Sequence, residues 1–393
     1  MTDWPVKTLG EVCDFVRGVT YDKADARSET KSGFIPLLRA TNITEKGLLR
    51  EDFVFIPSDG VRADQKLMSG DALITIASGS ASVVGRSVLV EDPGEMTFGA
   101  FCGVLRPSPK ILPRYLSHFM SSRSVRTSWS EAAQGTNINN LKRDDILQTE
   151  CLLPPLDEQK RIVELLDAAT ARVAELTACY EQARTHANNL FTSALEDALE
   201  GNADSLVKNL GNLFDFQNGR GFKKTEWAKS GFPIIRIQNL NSESAPHNYF
   251  SGRFDQRILV ESGDLLFSWS GSIGTSFGPH IWQRSAGLLN QHIFKVIPKV
   301  PIDTSYAHYC LRLITAEIER SVNGAVGLVH ITKEKLNKFE IPVPSMDEQK
   351  RIVARLDSMR AKTSEMVAAY DAKLTAAKNL RQSVLEAAFA GEL

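Results

Sequence analysis

Asp157-Glu158-Gln159-Lys160-Arg161-Ile162-Val163 returns as Asp347-Glu348-Gln349-Lys350-Arg351-Ile352-Val353. Each copy opens a stretch that runs without a gap to a glycine, Gly201 or Gly391. A long internal repeat is read before any single residue, because it sets the architecture. From Ile162, apolar side chains recur at alternating steps of four and three through Leu166, Ala169, Val173, Leu176, Tyr180, Ala183, Ala187, Leu190 and Ala194. The second copy runs through Ile352, Leu356, Met359, Thr363, Met366, Tyr370, Lys373, Ala377, Leu380 and Val384. This heptad pattern predicts two long helices that pair as an antiparallel coiled coil, since a lone narrow helix cannot bury its own seam. The expected interface is Ile162, Leu166, Val173, Leu176 and Leu190 against Ile352, Leu356, Met366, Leu380 and Val384. Ser345 and Glu348 have capping-box spacing; in the first copy Pro155, Asp157 and Glu158 must set the start. Gly201 and Gly391 are expected to close the helices in the left-handed conformation.

Working outward, the segments before each helix share an outline. Leu9-Gly10-Glu11-Val12 corresponds to Leu210-Gly211-Asn212-Leu213, Pro36-Leu37-Leu38-Arg39-Ala40-Thr41-Asn42 to Pro233-Ile234-Ile235-Arg236-Ile237-Gln238-Asn239, and Gly70-Asp71-Ala72-Leu73 to Gly263-Asp264-Leu265-Leu266. Short apolar runs bounded by Gly, Pro and Asp predict strands, with one helix near 113–130 matched by another near 304–321. The fold class is mixed α/β (α+β). Two strand-rich globular domains, 1–156 and 201–346, alternate with helices 157–200 and 347–393 in a pseudo-two-fold repeat.

Composition fits a folded soluble protein: 42% hydrophobic, 24% charged, net charge -1. With no apolar run of bilayer length and no signal-like start, a cytoplasmic protein is expected. The charge is unevenly spread. Segment 157–200 holds 4 Lys+Arg against 9 Asp+Glu and segment 201–346 holds 16 against 12, so a basic footprint is local. The five cysteines and seven histidines show no metal-ligand spacing, and no metal site is expected. Pro154-Pro155 lacks the flanking amide and aromatic of an amino-methyltransferase motif and is a helix entrance. Ser270-Gly271-Ser272-Ile273-Gly274 lacks a P-loop Lys and, like Ser78-Gly79-Ser80, is expected to be a turn. No catalytic residue emerges.

The phrase from Leu152-Leu153-Pro154-Pro155 into the first repeat, its counterpart from Ile341-Pro342-Val343-Pro344, and the opening Trp4-Pro5-Val6-Lys7-Thr8-Leu9-Gly10 resemble the specificity subunit of type I restriction-modification enzymes over the whole chain. The resemblance implies two target-recognition domains, each reading one half of a bipartite, asymmetric site on double-stranded DNA. It implies helices that set the gap and dock two methyltransferase (modification) subunits, with restriction/translocase subunits joining them. It also implies no chemistry in this chain: S-adenosylmethionine, ATP and Mg would belong to the partners.

Base readout draws on Arg, Lys, Asn and Gln, and phosphate contacts on the cations. The candidates are Arg17, Lys23, Arg39, Asn42, Arg62, Lys66 and Arg86 in the first domain, with Arg123 and Arg126 on the helix that follows. In the second they are Arg220, Lys223, Lys224, Arg236, Gln238, Asn239, Arg253, Arg257 and Arg284, with Asn290, Gln291 and His292 as further polar readers. Two other readings stay open here: a self-sufficient enzyme, and a coiled-coil adaptor whose modules bind something other than DNA.

Overall fold

The computed structural model describes residues 4–45, 47–133, 139–200, 206–272, 275–321 and 328–393. They form two compact units, 1–181 with 372–393, and 182–371. The long helices are Leu156–Glu200 and Met346–Phe389.

In the first unit a four-stranded antiparallel sheet has the order Cys13–Arg17, Cys102–Pro107, Ala72–Thr75, Ser87–Leu89. A second sheet places Phe34–Leu38 between Val54–Pro57 and a parallel partner, Thr97–Phe98. The second unit repeats the plan with Phe214–Asn218, Ile293–Pro298, Leu265–Ser268 and Gly278–Ile281. Its other sheet has Phe232–Ile235 between Asn248–Phe250 and the parallel Gly287–Leu289.

The central strands read as unbroken apolar runs because each divides two cores. Side chains alternate across a strand. Thus Ala72, Ile74 and Leu105 face a core with Tyr115, Leu116 and Trp129, while Leu73, Cys102 and Val104 face another with Leu38 and Phe98. In the second unit Leu265, Phe267, Phe294 and Val296 face one core, and Leu266 and Ile293 the other. The shared Gly-Asp turns lead into these strands. Gly70 and Gly263 hold φ of +92° and +96°, which glycine adopts freely. Asp71 is fully buried and receives Arg106 Nε and Nη2, both at 2.8 Å; Asp264 receives Lys295 at 2.6 Å.

The start of one long helix packs beside the end of the other within each unit. In the first, Ile162 and Leu166 share a core with Leu385 and Ala388, and Phe389 meets Tyr115 and Phe119 edge-on at 5.2 and 5.3 Å. Arg161 donates to the Leu393 carbonyl, and Lys373 lies over the Tyr180 ring, so numbering falls along one helix as it rises along the other. In the second unit Phe191, Leu195, Ala198 and Leu199 share a core with Ile352 and Leu356, and Arg184 pairs with Asp371 at 3.0 Å. The pairing is antiparallel in both.

Three expected seam residues are corrected. Leu190, Met366 and Leu380 are 48%, 40% and 51% exposed, whereas Phe191 and Leu195 are buried and Val367 is half-buried. A straight helix of 3.6 residues per turn drifts about 20° per heptad, so four heptads past Ile162 the buried face has moved by nearly one residue. The actual seam holds Ile162, Leu166, Val173, Ala187, Phe191, Leu195 and Ala198 in one helix and Ile352, Leu356, Thr363, Ala377, Leu385 and Ala388 in the other, all buried. Leu176 is half-buried, and half-buried Val384 packs on the first unit's core.

The repeated heptapeptide is mainly a fastening. Gln159 is buried; it accepts from Leu112 N at 2.8 Å and donates to the Lys110 and Pro154 carbonyls at 3.0 and 2.8 Å. Gln349 does the same with Asp303 N and the Pro344 carbonyl, both at 2.9 Å. Glu158 and Glu348 pair with Arg161 and Arg351 one turn on, so the expected capping box is half made: Ser345 Oγ accepts from Glu348 N, while the carboxylate turns to Arg351. Gly391 has φ of +75°; Gly201 lies outside the described residues.

Two further expectations change. The helix near 113–130 is two, Pro113–Met120 and Arg123–Ala132, because Ser122 turns its hydroxyl back to the Phe119 carbonyl; its counterpart Thr304–Ser321 is continuous. The serine-glycine segments are strand edges as well as turns. Ala77–Ser78 pairs with Asn139–Asn140, and Ser270–Ser272 with Leu328–His330.

Candidate nucleic-acid interface

Both units present a loop at the same place. Where the first strand ends, Gly18 presses on the backbone at Gly99, so that a Cβ there would stand 2.1 Å from the Gly99 carbonyl oxygen. Gly219 presses on Asn290 with the equivalent distance at 2.2 Å. Only glycine fits either position. Val19 N donates to Phe98 O at 2.7 Å, and Arg220 N to Leu289 O at 2.8 Å. The approach pins residues 99–101 and 290–292 beside the chain leaving the first strand.

The side chains on these pinned loops differ completely. The first unit carries Gly99, Ala100 and Phe101, the last 61% exposed, with its carbonyl accepting from Ile76 and Ala77. The second carries Asn290, Gln291 and His292. Trp269 Nε1 donates to the Gln291 carbonyl at 3.2 Å, and its ring packs on His292, Phe294 and His330. His292 Nδ1 is buried without a hydrogen-bond partner. Phe101 and Trp269 escaped the sequence reading; the signal was their place beside the glycine-matched strands, not their residue type.

Around these loops the cations vary in freedom. Lys23, Lys223 and Lys224 are exposed; the turn bearing the last two is held by Lys223 N donating to Glu226 at 2.8 Å. Arg220 pairs with Glu226 and lies over Phe222 and Phe250, which orients its guanidinium. Arg220, Arg253 and Arg257 line one open concavity of about 790 Å³, and Arg257 is also paired with Asp255 at 2.6 Å. Arg17 is exposed. Arg39 donates to the Asp52 carbonyl at 2.8 Å, Arg86 approaches Glu45 at 3.8 Å, and Arg236 lies over Trp227. Gln238 is exposed and donates to the Pro246 carbonyl.

Asn42 and Asn239 are corrected. Asn42 is 1% exposed; its Oδ1 accepts from Arg39 N, and its Nδ2 donates to the Leu49 and Glu51 carbonyls. Asn239, fully buried, accepts from Arg236 N and donates to the Ala245 and Pro246 carbonyls. Both amides close a turn after a strand and have no edge left for a base.

A family model described as the type I restriction modification DNA specificity domain matches twice, at residues 1–182 and 202–376. The chain is 30% identical to the type I restriction enzyme EcoKI specificity subunit of Escherichia coli K12, over 99% of this chain and 89% of that one. It is 28% identical to the StySPI specificity subunit of Salmonella potsdam over the same shares. A chain from a structural study of assembly and conformational transition of a type I R-M system superposes with a TM-score of 0.78 at 21% identity, covering 99% of this chain and 98% of that one. The HsdS subunit from Thermoanaerobacter tengcongensis does so at 0.56 and 21%, over 100% and 98%. These two share the fold. With two matched domains, two units on one plan and a relative at this identity along nearly its whole length, the chain belongs to the specificity subunits of type I restriction-modification enzymes.

Proposed function

We propose that each unit reads one half of a bipartite, asymmetric site on double-stranded DNA through its pinned loop. The observation that carries this reading is the contrast between residues 99–101 and 290–292: one backbone device, two unrelated sets of side chains. Asn290 and Gln291 suit adenine or a mixed edge, and Phe101 suits a thymine methyl or a base face. Lys23, Lys223, Lys224, Arg17 and the Arg220, Arg253, Arg257 group supply phosphate contacts that set register without reading sequence. The two long helices dock two methyltransferase subunits and set the gap between half-sites; restriction/translocase subunits join through them. Methyl transfer and cleavage, with S-adenosylmethionine, ATP and Mg, belong to those partners.

The test is methylome sequencing of cells expressing the complex with the native chain or with 290–292 replaced by alanines. The altered loop should change or relax one half of the methylated motif and leave the other intact. Loss of both halves together, or of neither, would reject the assignment. Replacing Lys223 and Lys224 by alanine should weaken binding to all duplexes alike and lower the salt slope by roughly 2.

A further inference from the structure

Within the second unit, away from the pinned loop, an open pocket of about 690 Å³ lies among the helix Thr304–Ser321, the strand Gly278–Ile281 and the two long helices. Five basic side chains line it: His280 from the strand, His308 and Arg312 from the shorter helix, Arg360 from the second long helix, and Arg284, which is held by the Asn239 carbonyl and the Trp282 ring; Glu243, Glu319 and Asp357 share the lining. His280 donates to the Ser276 carbonyl, while its Nε2 is buried without a partner. Arg312 lies over the Phe191 ring at 5.6 Å. Among the described residues no ion pair joins Arg312 or Arg360 to a carboxylate. Asp357 on the wall instead accepts the Tyr309 hydroxyl at 2.5 Å, and Glu319 offsets Arg312 only in part.

Arg312 and Arg360 are exposed at the mouth and the two histidines half-buried, and like charges held this close repel unless something answers them. Burial first, then Arg312, Arg360 and His280, push His308 down to about 4, so near neutral pH the positive charge at the pocket is that of the guanidiniums. In the first unit Ser117 stands where His308 does, since Tyr115 and Tyr306 make the same hydrogen bond, to the carbonyls of Leu152 and Pro342, and a carboxylate answers the neighbouring basic groups directly. There His118 Nε2 meets Asp167 at 2.7 Å, and Arg114 binds the same carboxylate at 3.0 Å.

We propose that this pocket is an oxyanion site that takes a phosphate group. Two guanidiniums and a histidine edge around a pocket match the tetrahedral, doubly charged phosphate and would bind it by charge-assisted hydrogen bonds. Hydrogen phosphate, which keeps one P–OH near neutral pH, also gives the unpartnered His280 nitrogen a donor, whereas a backbone phosphodiester, singly charged and without that proton, would be held by the guanidiniums alone. The group can come from a free phosphate or phosphomonoester, or from a nucleic-acid backbone. The inference does not rest on the reading of the loops.

Titration calorimetry of inorganic phosphate into the full chain, against chloride at matched ionic strength, tests it. One saturable site is expected; Arg360→Gln, at an exposed helix position, should weaken it by about tenfold or more, and Arg312→Gln with Arg360→Gln should abolish it. Circular dichroism checks that both variants fold. Absence of saturable binding, or equal affinity in the folded double variant, overturns the site. A repeat with saturating duplex DNA separates the sources: blocked phosphate binding identifies a backbone phosphate as the occupant, and unchanged binding a free one.

Discussion

The pinned loops of the two units share their backbone geometry and nothing of their side chains, whereas the buried amides Asn42 and Asn239 share both. The lesson concerns where specificity resides. A residue that recurs in both units serves what both must do, which is to fold. A residue that differs on a matched backbone is free to distinguish one target half from another.

The largest expected effect tests this directly. Exchanging 99–101 for 290–292 within the complex should cost roughly 3–4 kcal/mol of discrimination at the exchanged half, about two to three orders of magnitude in relative affinity, measured by competition binding with half-site variants. Equal loss from Asn42→Ala in a fully folded chain would break the comparison. Next come the glutamine fastenings. Gln159→Leu strands one more backbone partner than Gln349→Leu, so it should destabilise its unit by about 3 kcal/mol against about 2, read by denaturant unfolding of each unit's tryptophan signal.

The histidines give a smaller, pH-dependent contrast. His308 in the folded chain sits near 4 against an unfolded value near 6.5, so its contribution is complete above about pH 6.5 and is lost as pH falls toward 4. In phosphate-free buffer this should amount to roughly 2–3 kcal/mol, and His308→Gln should flatten it. His118, also lowered by burial but countered by Asp167, should lose less over the same window. Smallest are Leu190→Gln and Leu380→Gln, expected within about 0.5 kcal/mol of the native chain, whereas Phe191→Ala should cost about 3 kcal/mol. A large loss from Leu190→Gln would restore the strict heptad seam.

The repeat, the strand-rich units and the antiparallel helices were legible because they rest on periodicity and on matched Gly, Pro and Asp positions. The seam was legible at Ile162 and Ile352 and wrong by one residue at Leu190 and Leu380, since a 3.5-residue template accumulates error along a straight helix. Asn42 and Asn239 were misread because an asparagine that closes a turn and one that reads adenine look alike in sequence. The basic pocket was invisible: His280, His308, Arg312 and Arg360 are scattered along the chain, and only the fold gathers them.

The first unit draws its last core residues, Leu385, Ala388 and Phe389, from the far end of the chain, while the second is built wholly from 182–371. During synthesis everything the second unit needs is therefore made before what completes the first. Ile162 and Leu166 are made more than two hundred residues before the Leu385 and Ala388 that share their core, so this part of the first unit closes only after the whole of the second has been synthesised.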